Sequence, residues 1–106
     1  MELNSELDRL LKYSEIDSEL NRAKKKHPDF PEDMFRQVAI MQEEAGEVTK
    51  AVLDYHYAGG SLNDVKSELI QTAAMCMRML EAISVNKERP RAVFVDCLGE
   101  PEGGRK

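Results

Sequence analysis

At 106 residues the chain has the length of one small domain, and 33% charged against 42% hydrophobic residues is the balance of a soluble one. With six Met but only three Phe, three Tyr and no Trp, the composition favours helices over a β-sandwich, which needs more aromatic and β-branched residues. A net charge of −5 excludes general affinity for a nucleic-acid polymer, whose phosphates Lys and Arg must neutralise, but leaves room for a small anion if a metal ion supplies positive charge.

The first predicted helix covers residues 4–26, where Leu7, Leu10 and Leu11 set a helical spacing that Ile16 and Leu20 extend less cleanly. Lys24, Lys25 and Lys26 suit the negative end of its dipole. Pro28 and Pro31 then break it, since each disfavours the α conformation in the residue before it. The second helix is predicted over 31–57, with Pro31 in the first helical position and Glu32 and Asp33 in the first turn. Met34, Val38, Met41, Ala45, Val48 and Val52 fall on one side of it and read as its core stripe. Gly59 and Gly60 end it, and Ser61 is a natural N-cap for a third helix over 62–85. So short a link makes the two helices antiparallel neighbours. On the third helix Val65, Leu69, Ala73, Cys76, Leu80 and Ile83 gather on one side, with Cys76 read as a small buried hydrophobe. Ser67, Arg78 and Glu81 form the only polar strip.

This helix is apolar nearly all round, and the core is thin, because a chain this short buries roughly 60–70% of its unfolded surface. The expectation is therefore an all-α antiparallel bundle, three main helices per chain, completed as a homodimer or homotetramer. Residues 1–86 read as the domain and 87–106 as an arm and tail, with 91–98 a short strand or an extended arm packing on another subunit. Uncharged runs reach only nine residues, as over 69–77, so no membrane span of roughly 20 residues is expected. The acidic opening residues precede no signal-peptide core, and Cys76 and Cys97 make neither a disulfide framework nor a zinc pattern. Reduced thiols in a cytoplasm are the default.

Four carboxylates do not suit a plain bundle. Glu43, Glu44 and Glu47 share one turn, where like charges three and four apart cost a few tenths of a kcal/mol each. Gly46 in the same turn costs up to about another kcal/mol against Ala, and leaves open space beside them. Glu68 is the sharper anomaly, because Val65, Thr72, Met75, Cys76 and Met79 surround it on the wheel. A carboxylate there must shift its pKa, find a cation or coordinate a metal. In an antiparallel hairpin Glu44 comes level with Gln71 and Glu47 with Glu68, within an offset of roughly 6 Å. Two facing pairs of oxygen ligands suit Mg²⁺ or Mn²⁺. The plainer reading of Glu43, Glu44 and Glu47 alone is a solvated acidic face.

At these residues the sequence resembles the MazG-like, all-α nucleoside triphosphate pyrophosphohydrolases. Their signature is Glu-Glu-x-x-Glu on one helix and Glu-x-x-Asp on the next. Here it reads Glu43-Glu44-Ala45-Gly46-Glu47, then Glu68-Leu69-Ile70-Gln71, with Gln71 at the Asp position. The resemblance spans about residues 27–83. It implies that Glu44, Glu47, Glu68 and Gln71 hold Mg²⁺ or Mn²⁺, and that a nucleoside or deoxynucleoside triphosphate is hydrolysed between its α and β phosphates. The products are the monophosphate and pyrophosphate, and the role is nucleotide-pool housekeeping. Glu43 is the candidate proton acceptor for the attacking water. The family also implies dimers or tetramers. By the same resemblance His27 and Phe30 lie near the nucleotide, although a loop His and a packing Phe explain them as well. Lys50 reads first as a surface ion pair and second as a phosphate contact.

Two other readings stand beside this one. A non-catalytic helical module that binds nucleotides or a partner protein is kept open by Gln71. A di-iron four-helix carboxylate enzyme is more distant, because neither helix carries the Glu-x-x-His pair such sites use.

Overall fold

A computed structural model describes residues 2–85, which form three helices: α1 (Glu2–Lys26), α2 (Met34–Tyr57) and α3 (Leu62–Val85). No strand occurs among the described residues, and the protein is an all-α helical bundle. The expected arm over 91–98, the tail, Cys97 and the boundary near residue 86 lie outside the described residues.

Each helix end has a local cause. The His27 N–H donates to the Ala23 carbonyl (2.8 Å) at the end of α1, after which the prolines remove donors. α2 starts three residues later than Pro31 predicts, because Asp33 takes the N-cap and its carboxylate accepts from the Phe35 N–H (3.0 Å). A carboxylate facing the free N–H groups of the first turn outweighs the preference of proline for the first helical position. Glu32 and Asp33 therefore precede the helix. At the other end Gly59 adopts φ +76°, and the N–H groups of Ala58 and Gly60 both donate to the Asp54 carbonyl (2.8 and 2.9 Å). A Cβ on Gly60 would stand 3.0 Å from the Asp54 Cβ, so the link folds tightly back. Ser61 caps α3 as expected, its Oγ accepting from the Asp64 N–H at 3.1 Å.

α3 lies between the other two helices; α1 and α2 each pack on it and not on each other. The chain runs up, down and up. Lys24 near the end of α1 pairs with Glu81 near the end of α3 (2.7 Å), so these two helices are parallel. α2 starts beside that end and runs antiparallel to both.

The buried seam is narrow. Its apolar members are Leu20, Ala23, Ala51 and Ala74, three of them alanines that let the backbones approach closely. This corrects the expected core. Met34, Val38 and Val52 are exposed, and Met41, Ala45 and Val48 are half-buried, because Gln37 and Ala51 face the seam instead. On α3 Leu69, Cys76, Leu80 and Ile83 are exposed, while Arg78, expected on a polar surface strip, is only 7% exposed. Cys76 is thus not a buried hydrophobe. The inversion has a physical reason. Residues 27–31 carry carbonyls that no helix satisfies, and the buried polar side chains supply the donors. Gln37 Nε2 donates to the Pro31 carbonyl (2.7 Å), and Arg78 Nη2 donates to that of His27 (2.6 Å) and more weakly to that of Pro28 (3.5 Å). The Arg78 guanidinium also lies over the Phe30 ring, 4.7 Å from its centroid.

α1 packs only through its last turns. Leu7, Leu10, Leu11 and Tyr13 are all more than half exposed. The radius of gyration is 18.5 Å, against roughly 13 Å for a compact chain of this length.

Candidate metal and phosphate site

Glu44 sits on the inner side of α2, in line with buried Gln37 and Ala51 at seven-residue intervals. It is half-buried, as are Glu68 and Gln71 on α3, whereas Glu43 and Glu47 are exposed. Burial pushes the Glu44 carboxyl above its ordinary value, and the negative charges of Glu68, Glu47, Glu19 and Glu43 push it further. Carboxylates on all three helices therefore act on Glu44. Among the described residues, no three acid, His or Cys side chains stand close enough together to hold an ion as they are placed. The Gln71 Nε2 donates to Ser67 Oγ (3.3 Å), which leaves its Oε1 as an acceptor.

Glu19 and Arg22 went unread in the sequence. The guanidinium donates to the Glu19 carboxylate from Nε (3.0 Å) and from Nη2 (2.6 Å), in a forked pair at the edge of the seam. Arg22 is under the influence of Glu19 first and of Glu44 more weakly. A signal was present: Glu19 lies three residues after Ile16 and four before Ala23, on the one stretch of α1 that packs.

The other candidates are placed differently. Lys50 pairs with Asp54 at 3.0 Å in an exposed i, i+4 contact, with Glu47 and Glu68 acting on it only weakly. His27 is exposed, and its carbonyl is held by Arg78. Phe30 is half-buried with one ring face against the same guanidinium. No hydrogen bond or ion pair joins His27 or Phe30 to the carboxylates among the described residues. Gly46 has open space around it, since a Cβ built there meets nothing within 4 Å.

Two predictions arise directly. Gly46→Ala is expected to stabilise the ligand-free protein by up to about 1 kcal/mol, because nothing opposes the methyl group and the helix gains propensity. A melting curve followed by circular dichroism checks it, and a drop in melting temperature would show the space to be needed by the fold. Glu44→Gln tests the crowding of charge. A carboxyl whose folded-state pKa is raised binds more protons folded than unfolded, so stability falls as pH rises from the ordinary carboxylate range through the folded value. The Gln variant is therefore expected to exceed the wild type in stability at pH 7 in metal-free buffer. Its advantage should vanish as pH drops below that range; urea unfolding at pH 7 and near pH 3.5 reads out the difference.

No family model, curated protein or solved structure matches the chain. The site stands on its own geometry.

Proposed function

We propose that the protein hydrolyses nucleoside or deoxynucleoside triphosphates to the monophosphate and pyrophosphate, with Mg²⁺ or Mn²⁺ held by Glu44, Glu47, Glu68 and Gln71. One observation carries the reading. A half-buried Glu44 lies in the field of four other carboxylates and is held by no hydrogen bond or ion pair among the described residues. Such an arrangement costs stability unless a cation relieves it. The donors are all oxygens, which suits a hard divalent ion. Their side chains are splayed, so an ion has to draw them together by rotamer changes. Gln71 in place of Asp removes one negative charge and leaves a neutral oxygen, which weakens the ion's hold but does not abolish it.

A bound divalent ion supplies positive charge to the phosphate oxygens and lowers the cost of the departing pyrophosphate. In the hydrolysis the oxygen of water forms a bond to phosphorus, the bridging α–β phosphoanhydride bond breaks, and pyrophosphate departs with the electron pair. Glu43, exposed and next to Glu44 in sequence, is the group we propose to take the water's proton. Incubation with a panel of ribo- and deoxyribonucleoside triphosphates plus Mg²⁺ tests the reading, with pyrophosphate release expected for at least one of them. Binding without turnover across the whole panel would instead favour the non-catalytic module that Gln71 keeps in play.

The assembly reading has support of its own. Leu69, Leu80 and Ile83 leave a broad apolar face on α3, and Met34, Val38 and Val52 leave another on α2. Contiguous faces of this kind are rare on monomers. A second copy of the chain is the occupant we infer, and light scattering should give a dimer or tetramer that Leu69→Glu with Leu80→Glu reduces to monomer. No helix among the described residues is long and apolar enough to cross a membrane.

A further inference from the structure

A groove of about 510 Å³ runs between α1 and α3, within the range of small-molecule sites. Glu19, Arg22 and Ser67 line it, and Ser67 Oγ accepts from the Gln71 Nε2 at 3.3 Å, so the groove borders the residues proposed to hold the ion. From there it extends past Ser18 and Ser67 to Ser14 and Asn63, away from the end where Arg78 holds Phe30. Residues 14 to 22 span roughly 12 Å along the helix axis, about the length of a nucleoside with one phosphate.

We propose that this groove seats the nucleoside of the bound nucleotide, with the first phosphate meeting Arg22 where the groove borders those residues. The proposal rests on the pyrophosphohydrolase reading for its substrate class and adds where that substrate lies. The wall chemistry suits a sugar and the edge of a base. Hydroxyls of Ser14, Ser18 and Ser67 donate and accept, and Ile70 gives one apolar surface. Among the described residues no aromatic ring lines the groove, so recognition is by hydrogen bonding and not by stacking. Arg22 is already fixed by its fork to Glu19, a geometry that phosphate oxygens match equally well. The alternative seat, expected at His27 and Phe30, is less open: one Phe30 face is covered by a guanidinium bound to the His27 carbonyl.

Titrating the full chain with nucleoside monophosphates and Mg²⁺, followed by amide NMR, tests the seat without any turnover. Shifts are expected over 14–22 and 63–70. Ser18 is exposed, so Ser18→Trp fills the groove without disturbing the seam, and Ser14→Trp provides a second variant. Each should weaken monophosphate binding at least tenfold while inorganic tripolyphosphate with Mg²⁺ still perturbs 44–47 and 68–71 as in the wild type. Shifts confined to 27–35, no binding by the wild type, or unchanged affinity in both Trp variants would overturn the proposal. Binding in the groove with no pyrophosphate released from any triphosphate would leave the seat standing and remove the hydrolase reading. Turnover with a KM indifferent to both Trp variants would do the reverse.

Discussion

Glu68→Ala and Glu47→Ala are each expected to cut Mg²⁺-dependent pyrophosphate release by about 100-fold or more, while the metal-free protein melts at a higher temperature than the wild type. The loss follows from removing one of the few oxygens available to the ion, whose charge the transition state needs more than the ground state does. The gain follows from the field at Glu44, to which Glu68 contributes more than any other carboxylate and Glu47 comes next. Either substitution removes a like charge and installs the best helix former. Saturating Mg²⁺ should then reverse the order of stability, because only the wild type gains the binding term, about 2.7 kcal/mol at one hundred times the dissociation constant. Thermal melts with and without Mg²⁺, run beside the activity assay, give both readouts on one sample. Full activity in either variant would sink the assignment of that residue to the metal. A lower metal-free melting temperature would show that the carboxylate also supports the fold.

The parts of this molecule that were legible in its sequence are those whose causes are local. Gly59, Gly60 and Ser61 act on their own neighbours, so the link and the start of α3 are where the residues put them. Glu68 stood out because an acid inside an apolar sector is anomalous on any helix; it is half-buried, and its negative charge helps to raise the Glu44 carboxyl. The side of each helix that the chain buries was not legible. A helical wheel shows which face is apolar but not whether the same chain covers it. Here Ala23, Ala51 and Ala74 set a close seam, and the larger aliphatic residues are left beside it. Arg78 shows the limit most clearly, since its partner carbonyl on His27 is 51 residues away in sequence. Lys50 shows it at short range. Asp54, four residues on, won the lysine from Glu43 and Glu47, as favourable i, i+4 spacing on an exposed face allows. Arg22 also feels the charge of Glu44, from a helix that sequence spacing had not linked to it.

Arg78→Ala should be the most damaging single change to the fold, at about 3 kcal/mol. The guanidinium is 7% exposed and donates to the His27 carbonyl at 2.6 Å, a bond from a charged donor worth roughly 1.5–3 kcal/mol. Its stacking on Phe30 adds on the order of 1 kcal/mol when largely desolvated. Alanine forfeits both and leaves a carbonyl and an aromatic face to water or to a cavity. A buried arginine normally has an anionic partner, and among the described residues this one has carbonyls and a ring, so desolvation of its charge offsets part of the sum. Against a total stability of about 5–10 kcal/mol for a chain this long, the remaining loss is still severe. It also has a place. Arg78 and Gln37 grip the same segment from α3 and α2, so freeing residues 27–31 loosens the start of α2 while the link at Gly59 stays closed. Urea unfolding gives the magnitude, and amide exchange should show protection lost first over 34–41. Arg78→Lys should fall between, because the ammonium keeps the charge but loses the planar guanidinium that covers the Phe30 ring while its Nη2 reaches the His27 carbonyl. An Arg78→Ala midpoint indistinguishable from the wild type would mean that the clamp is a consequence of the packing and not a cause of it.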